Sequence, residues 1–243
     1  MNTKQGLGSL FALSLLLPFQ SGFAATIDEV CNPHLTLINM SGNSVSAITD
    51  VIGGSYDGLH QLFHELVTNN CRILYRNGDE IQGVPSAIRI EIRNGDFIAS
   101  ALISDSSEQE MLLSPQYFEV MKSEGKDVLF ALKGVLSHEI THLYQNIVEG
   151  MPAGIVEGVA DAIRIRSGYP DVNWEVDKSG SWDDGYSKTA FFLIYIDSRS
   201  PDFLYRFNRA TLKTPGRFWN ESIIQDVTGR SVHDWWAEYQ RAP

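Results

Sequence analysis

Apolar residues recur three and four positions apart through Val128, Leu129, Leu132, Val135, Leu136, Ile140 and Leu143. That is the spacing of a helix that buries one face. Residues 44–70 carry a second helical pattern on Val45, Ile48, Ile52, Leu59, Leu62, Phe63 and Leu66, interrupted at Gly53-Gly54. Residues 87–92 alternate apolar and polar as a half-buried strand does, Asn94-Gly95 is a hairpin signal, and 97–103 predicts the return strand. Residues 111–113 predict a short third strand. Pro152 and Gly154 break the chain, so a new helix is expected near Gly154 with Glu157 in its first turn. The last third reads as helical: an apolar stretch over 189–197, then Pro201 in the first turn of the next helix. A final helix starts near Ser231 and buries Trp235, Trp236 and Tyr239.

The first of these helices carries candidate chemistry. His138, Glu139 and His142 spell HExxH within it. Residues four apart share a helix face, with Cβ atoms about 5–6 Å apart. Two imidazoles so placed can reach one Zn²⁺ at about 2.0–2.1 Å. Zinc lowers the pKa of a water in its open position toward about 7, and Glu139 is placed to take that water's proton as general base. An apolar flank can also hold two ordinary buried histidines. The downstream carboxylates weigh toward the metal, because a catalytic site needs a third protein ligand. Glu157 is the candidate third ligand. Asp161, four residues on and on the same face, can accept the second ring N–H of His138 or His142. The exchanged roles, with Asp161 as ligand, remain open. His60 and His64 share the same spacing but have no such acidic partner in the sequence, and read as ordinary helix residues.

Lys4 precedes an apolar run from Leu7 to Phe19 and then Ser21-Gly22-Phe23-Ala24-Ala25. This is a signal-peptide pattern over residues 1–24 with cleavage after Ala24, leaving one expected domain over 25–243. The run is too short and interrupted for a comfortable membrane span, so no stable membrane insertion is expected after cleavage, and the protein is expected to be secreted or periplasmic. Two cysteines in an exported chain, Cys31 and Cys71, read as one disulfide; two buried thiols are the alternative. The chain has 30 acidic and 19 basic residues, a formal charge of −11 that becomes −12 once Lys4 leaves. No net positive field meets phosphates, so nucleic acid is not an expected partner.

The strings HEITHLYQ, PAGIVEGVADAIRIRSGYP, NW and SWDDGYSKTAFFLIYI resemble the basic secretory protein family, regarded as secreted zinc metallopeptidases of plants and microbes. The resemblance covers about residues 84 to 240 and is tightest between His138 and Ile196. The downstream Glu-x-x-x-Asp is also similar to the gluzincin group. The resemblance implies an α+β, zincin-like fold: a small antiparallel or mixed sheet, an HExxH helix and a mainly helical C-terminal part. It implies one catalytic Zn²⁺ on His138, His142 and Glu157, with Glu139 as base and a peptide or protein as substrate. Tyr186 matches the tyrosine of the family's Gly-Tyr-x-x-Thr-Ala stretch. A phenol there could stabilise a developing oxyanion; a structural tyrosine is equally consistent. The chain departs from the family in its acidity, in Ala162-Ile163 after the acidic pair and in Phe191 after Thr-Ala. These bear on substrate preference rather than on the ligands. The same metal chemistry would also serve a non-peptide amide or ester, and a non-catalytic zinc-binding protein is a further reading.

Overall fold

Four strands form one mixed sheet in the order β1-β2-β4-β3, where β1 is His34–Asn39, β2 Ala87–Ile92, β3 Ala99–Leu102 and β4 Glu108–Leu113. The computed structural model describes residues 24–39, 45–54, 56–104 and 106–243. The expected leader therefore lies, except for Ala24, outside the described residues. Strands β1, β2 and β4 are parallel, and β3 runs antiparallel along β4 from Ala99 opposite Leu113 to Leu102 opposite Glu110. The central strands bury Ile88, Ile90, Ile92, Met111 and Leu113.

The predicted hairpin at Asn94-Gly95 does not form. β2 and β3 are not neighbours: β4 lies between them. Strand β4 begins three residues before residue 111 and takes the central place because its apolar residues are buried there, which leaves the more exposed β3 at the edge. Strand β1 has no counterpart in the hydrophobic pattern.

A short α1 (Ile27–Val30) precedes β1, the helical pattern over 44–70 splits into α2 (Ser46–Val51) and α3 (Tyr56–Leu74) with Gly53 and Gly54 at positive φ between them, and α4 (Pro115–Ser123) follows β4. Helix α3 runs past residue 70, so Cys71 lies in its last turn, where it is disulfide-bonded to Cys31 across 40 residues. Closing a loop of that length stabilises the fold by about 3–4 kcal/mol in the chain-entropy account.

The motif helix α5 (Val128–Tyr144) starts at Asp127, whose side chain accepts the Phe130 N–H at 2.9 Å. It packs on α3, on β3 and on α6 (Ala153–Arg166). A buried polar network ties α3 to it. Asn70 Nδ2 donates to Ser137 O at 2.7 Å and to Thr141 Oγ1 at 3.0 Å, and Ser137 Oγ donates back to Asn70 Oδ1 at 3.1 Å. The two anchored residues immediately precede His138 and His142, so the network sets the rotation of α5 about its own axis.

Helix α6 begins at Ala153, so Glu157 falls in its second turn rather than its first. Helix α7 (Tyr186–Arg199) lies hard against α6. A Cβ at Gly158 would sit 2.2 Å from Thr189 Cγ2, and one at Gly154 would sit 1.9 Å from Asp183 O. Gly158 lets the two helices meet closely, and Gly154, one turn earlier, does the same for the segment that leads into α7. Pro201 lies before α8 (Phe203–Ala210), not within its first turn. The chain continues through α9 (Ser222–Thr228) to α10 (Val232–Arg241), which is capped by Ser231 and buries Trp235, Trp236 and Tyr239. No helix among the described residues is long and apolar enough to cross a membrane.

Candidate metal centre

Helix geometry puts His138 and His142 on the face of α5 that meets α6, and α6 brings Glu157 opposite them. His138 Nε2 and His142 Nε2 are 3.0 Å apart, and Glu157 Oε2 lies 3.2 Å from the first and 3.5 Å from the second. A tetrahedral ion with bonds of about 2.0–2.1 Å requires donor–donor edges of about 3.3–3.4 Å. The observed triangle is close to that. The three donor atoms also form a group able to hold a metal ion. Two imidazoles and one carboxylate are a donor set suited to zinc.

Asp161 meets His138 from the other side. Its Oδ1 lies 2.7 Å from His138 Nδ1, and the side chain is almost wholly buried. The carboxylate therefore accepts the Nδ1–H hydrogen bond and turns Nε2 toward Glu157 and His142. Burial acts against a charged His138, but its hydrogen bonds to Asp161 and Glu157 and the charges of Asp161 and Glu139 outweigh it and raise its pKa to about 9. Glu157 responds in the opposite sense: hydrogen bonds from the two histidines lower it to about 2.

Gln145 is a partner that the hydrophobic pattern did not single out. Its Nε2 lies 2.9 Å from His142 Nδ1 and 3.3 Å from Val156 O, while its Oε1 is buried without a partner. It stands three residues after His142, on the same face, and that spacing was its available signal.

Glu139 is buried and raised above the usual carboxylate range, first by burial, against the lowering effect of the two histidines. The backbone N–H of Ala101 on β3 also reaches its carboxylate. Glu139 thus sits between the histidine pair and the sheet edge. Tyr186 opens α7 at φ 45°, in the left-handed region that non-glycine residues rarely adopt. Its side chain is exposed beside Glu157, whose charge raises the phenol's pKa.

All of these groups except Gln145 line one open cavity of about 580 Å³. One wall is the β3 edge. The other wall contains Arg164, Asp171 and Trp174, none of which the sequence pattern marked. His60 and His64 lie elsewhere, on α3, with ring centroids 4.6 Å apart. His34 opens β1, and His233 Nε2 lies 3.0 Å from Glu221 Oε1.

No curated protein and no solved structure matches the chain. A family model does, over residues 38–239, and that match takes in both strands and helices of the site. The chain belongs to the basic secretory protein family, described as a peptidase family of plants and bacteria.

Proposed function

We propose that this protein is a secreted zinc-dependent metallopeptidase of zincin-like fold, with His138, His142 and Glu157 as zinc ligands. The observation that carries it is the triangle of His138 Nε2, His142 Nε2 and Glu157 Oε2, with edges of 3.0, 3.2 and 3.5 Å, opening into a cavity beside a free strand edge. Bound zinc would supply a Lewis acid for the scissile carbonyl and acidify an attacking water.

The protein's own groups divide the remaining work. Asp161 holds the His138 ring and its tautomer. Gln145 does the same for His142: an Nε2 that binds metal leaves the proton on Nδ1, and rotation of the amide presents the partnerless Oε1 as its acceptor. Glu139 accepts the proton of the attacking water and passes it to the leaving amine. Its upward-shifted pKa favours that exchange near neutral pH. Among the described residues β4 is the only strand that pairs with β3, so the outer edge of β3 can take an extended peptide as an added strand. Tyr186, exposed at the cavity and close enough to Glu157 to feel its charge, would donate to the developing oxyanion. The disulfide, and the absence of a membrane-crossing helix among the described residues, support export.

The test is metal content and cleavage of an unbiased peptide mixture by the purified protein beside Glu139→Gln. Stoichiometric zinc in both, with chelator-sensitive cleavage lost only in the variant, is expected. Zinc in both with no cleavage by either would turn the reading toward a non-peptide amide or ester, or toward a binding protein.

A further inference from the structure

Arg164 is a buried cation with most of its donors unused. Its side chain is about 10% exposed, yet its single hydrogen bond among the described residues runs from Nε to Tyr169 O at 2.9 Å. A guanidinium carries five N–H donors, so four remain. The nearest carboxylate, Asp171 Oδ2, is 3.8 Å from Nη2, beyond hydrogen-bond reach. The charges of Asp161 and Asp171 favour the cation through space, but buried donors left unfilled are costly until a partner arrives.

Its position says where that partner comes from. The guanidinium rests on Gly134, where a Cβ would stand 2.7 Å from Nε and 2.9 Å from Nη2. Gly134 precedes His138 by four residues, about 6 Å along α5. The guanidinium carbon lies over the Trp174 ring, 4.6 Å from its centroid. Arg164, Asp171, Trp174 and Val135 all line the same cavity as His138 and Glu139. The group is therefore packed against a glycine and an indole, and it lines the cavity that holds His138 and Glu139.

Building on the peptidase reading, the geometry points to Arg164 as a specificity residue that binds a substrate carboxylate next to the scissile bond. The carboxylate accepts a forked pair of N–H bonds, and Val135 and Trp174 cover the methylenes behind it. Asp171 is the competitor: its carboxylate stands 3.8 Å from Nη2 and lowers the gain from an acidic guest. Two sources offer this chemistry, an Asp or Glu side chain and a C-terminal carboxylate.

Calorimetric binding to the Glu139→Gln protein tests it, using acetylated, amidated Ala-Ala-Xaa-Ala with Xaa as Glu, Gln or Lys, and acetylated Ala-Ala-Ala with a free carboxylate. The Glu peptide or the free acid is expected to bind at least about tenfold more tightly than the Gln peptide, and which of the two leads identifies the source. Adding Arg164→Gln should erase that ratio, Arg164→Lys should reduce it, and Asp171→Asn should widen it. If Arg164→Gln fails to fold, the lysine and Asp171 variants decide. Equal binding of the Glu, Gln and free-acid peptides, or tighter binding of the Lys peptide, overturns the assignment. Cleavage by the parent protein without any carboxylate preference sinks this inference alone. A carboxylate preference in binding with no cleavage by the parent sinks the peptidase reading alone.

Discussion

Two histidine pairs in this molecule have the same spacing and nearly the same contact. His138 and His142 have ring centroids 4.7 Å apart; His60 and His64 have theirs 4.6 Å apart. Yet His138 is raised to about 9 while His64 is lowered, by burial and by the neighbouring His60. Among the described residues, carboxylates pair with the first two histidines and with His233, but with neither His60 nor His64. An i, i+4 pair is thus only half a site. The second helix, which brings Glu157 and Asp161, supplies the other half.

Breaking the pair that faces Glu157 should have the largest effect. His142→Ala is expected to drop metal content to background, a loss beyond the roughly 10–100-fold typical of an outer partner. Elemental analysis after dialysis measures it, and full zinc retention would refute the ligand assignment. Asp161→Asn keeps the shape but weakens the hold on His138 Nδ1. Its zinc affinity should fall about 10–100-fold in competition with a chromogenic chelator; unchanged affinity would reduce Asp161 to a packing residue.

A pH series sharpens the contrast. In chelated protein, His138 binds its proton more tightly when folded than its ordinary 6.5, rising to about 9. That contribution is full below pH 6.5 and disappears as pH rises through about 9. Glu157, lowered from 4.5 to about 2, contributes above pH 4.5 and loses its contribution as pH falls toward 2. Thermal melts of the chelated protein should therefore decline between pH 6.5 and 9, and zinc should flatten that decline because the metal replaces the proton. Parallel curves with and without zinc would contradict it. The smallest effect belongs to the other pair: His64→Ala should leave zinc content unchanged and shift stability by no more than about 0.5 kcal/mol. A loss of zinc there would end the comparison.

Much of the site was readable because it is local. The motif spacing sits on α5, and the helix around it follows from Val128, Leu132, Val135, Leu136 and Ile140, all buried. The family was readable from contiguous strings for the same reason. The sheet was less so. Asn94-Gly95 has the chemistry of a hairpin turn, yet β3 pairs across β4, because strand order depends on which strand buries more apolar surface. Gln145 and Arg164 carried no pattern of their own. One touches a ring nitrogen three residues away, and the other packs on a glycine of a different helix.

By itself, the sequence determined what a single helix or short segment can hold: the HExxH face, the 157–161 carboxylate pair and the break at Gly53-Gly54. Only the tertiary structure decided which imidazole nitrogen meets which carboxylate, that β3 is an edge, and that a buried arginine faces the cavity. Burial within the sheet sets the edge, while the imidazole pairing and the place of the arginine depend on how α6 docks on α5 and α7 on α6. That docking is governed by Gly134, Gly154 and Gly158, where a missing side chain, invisible to hydrophobic periodicity, allows the close approach.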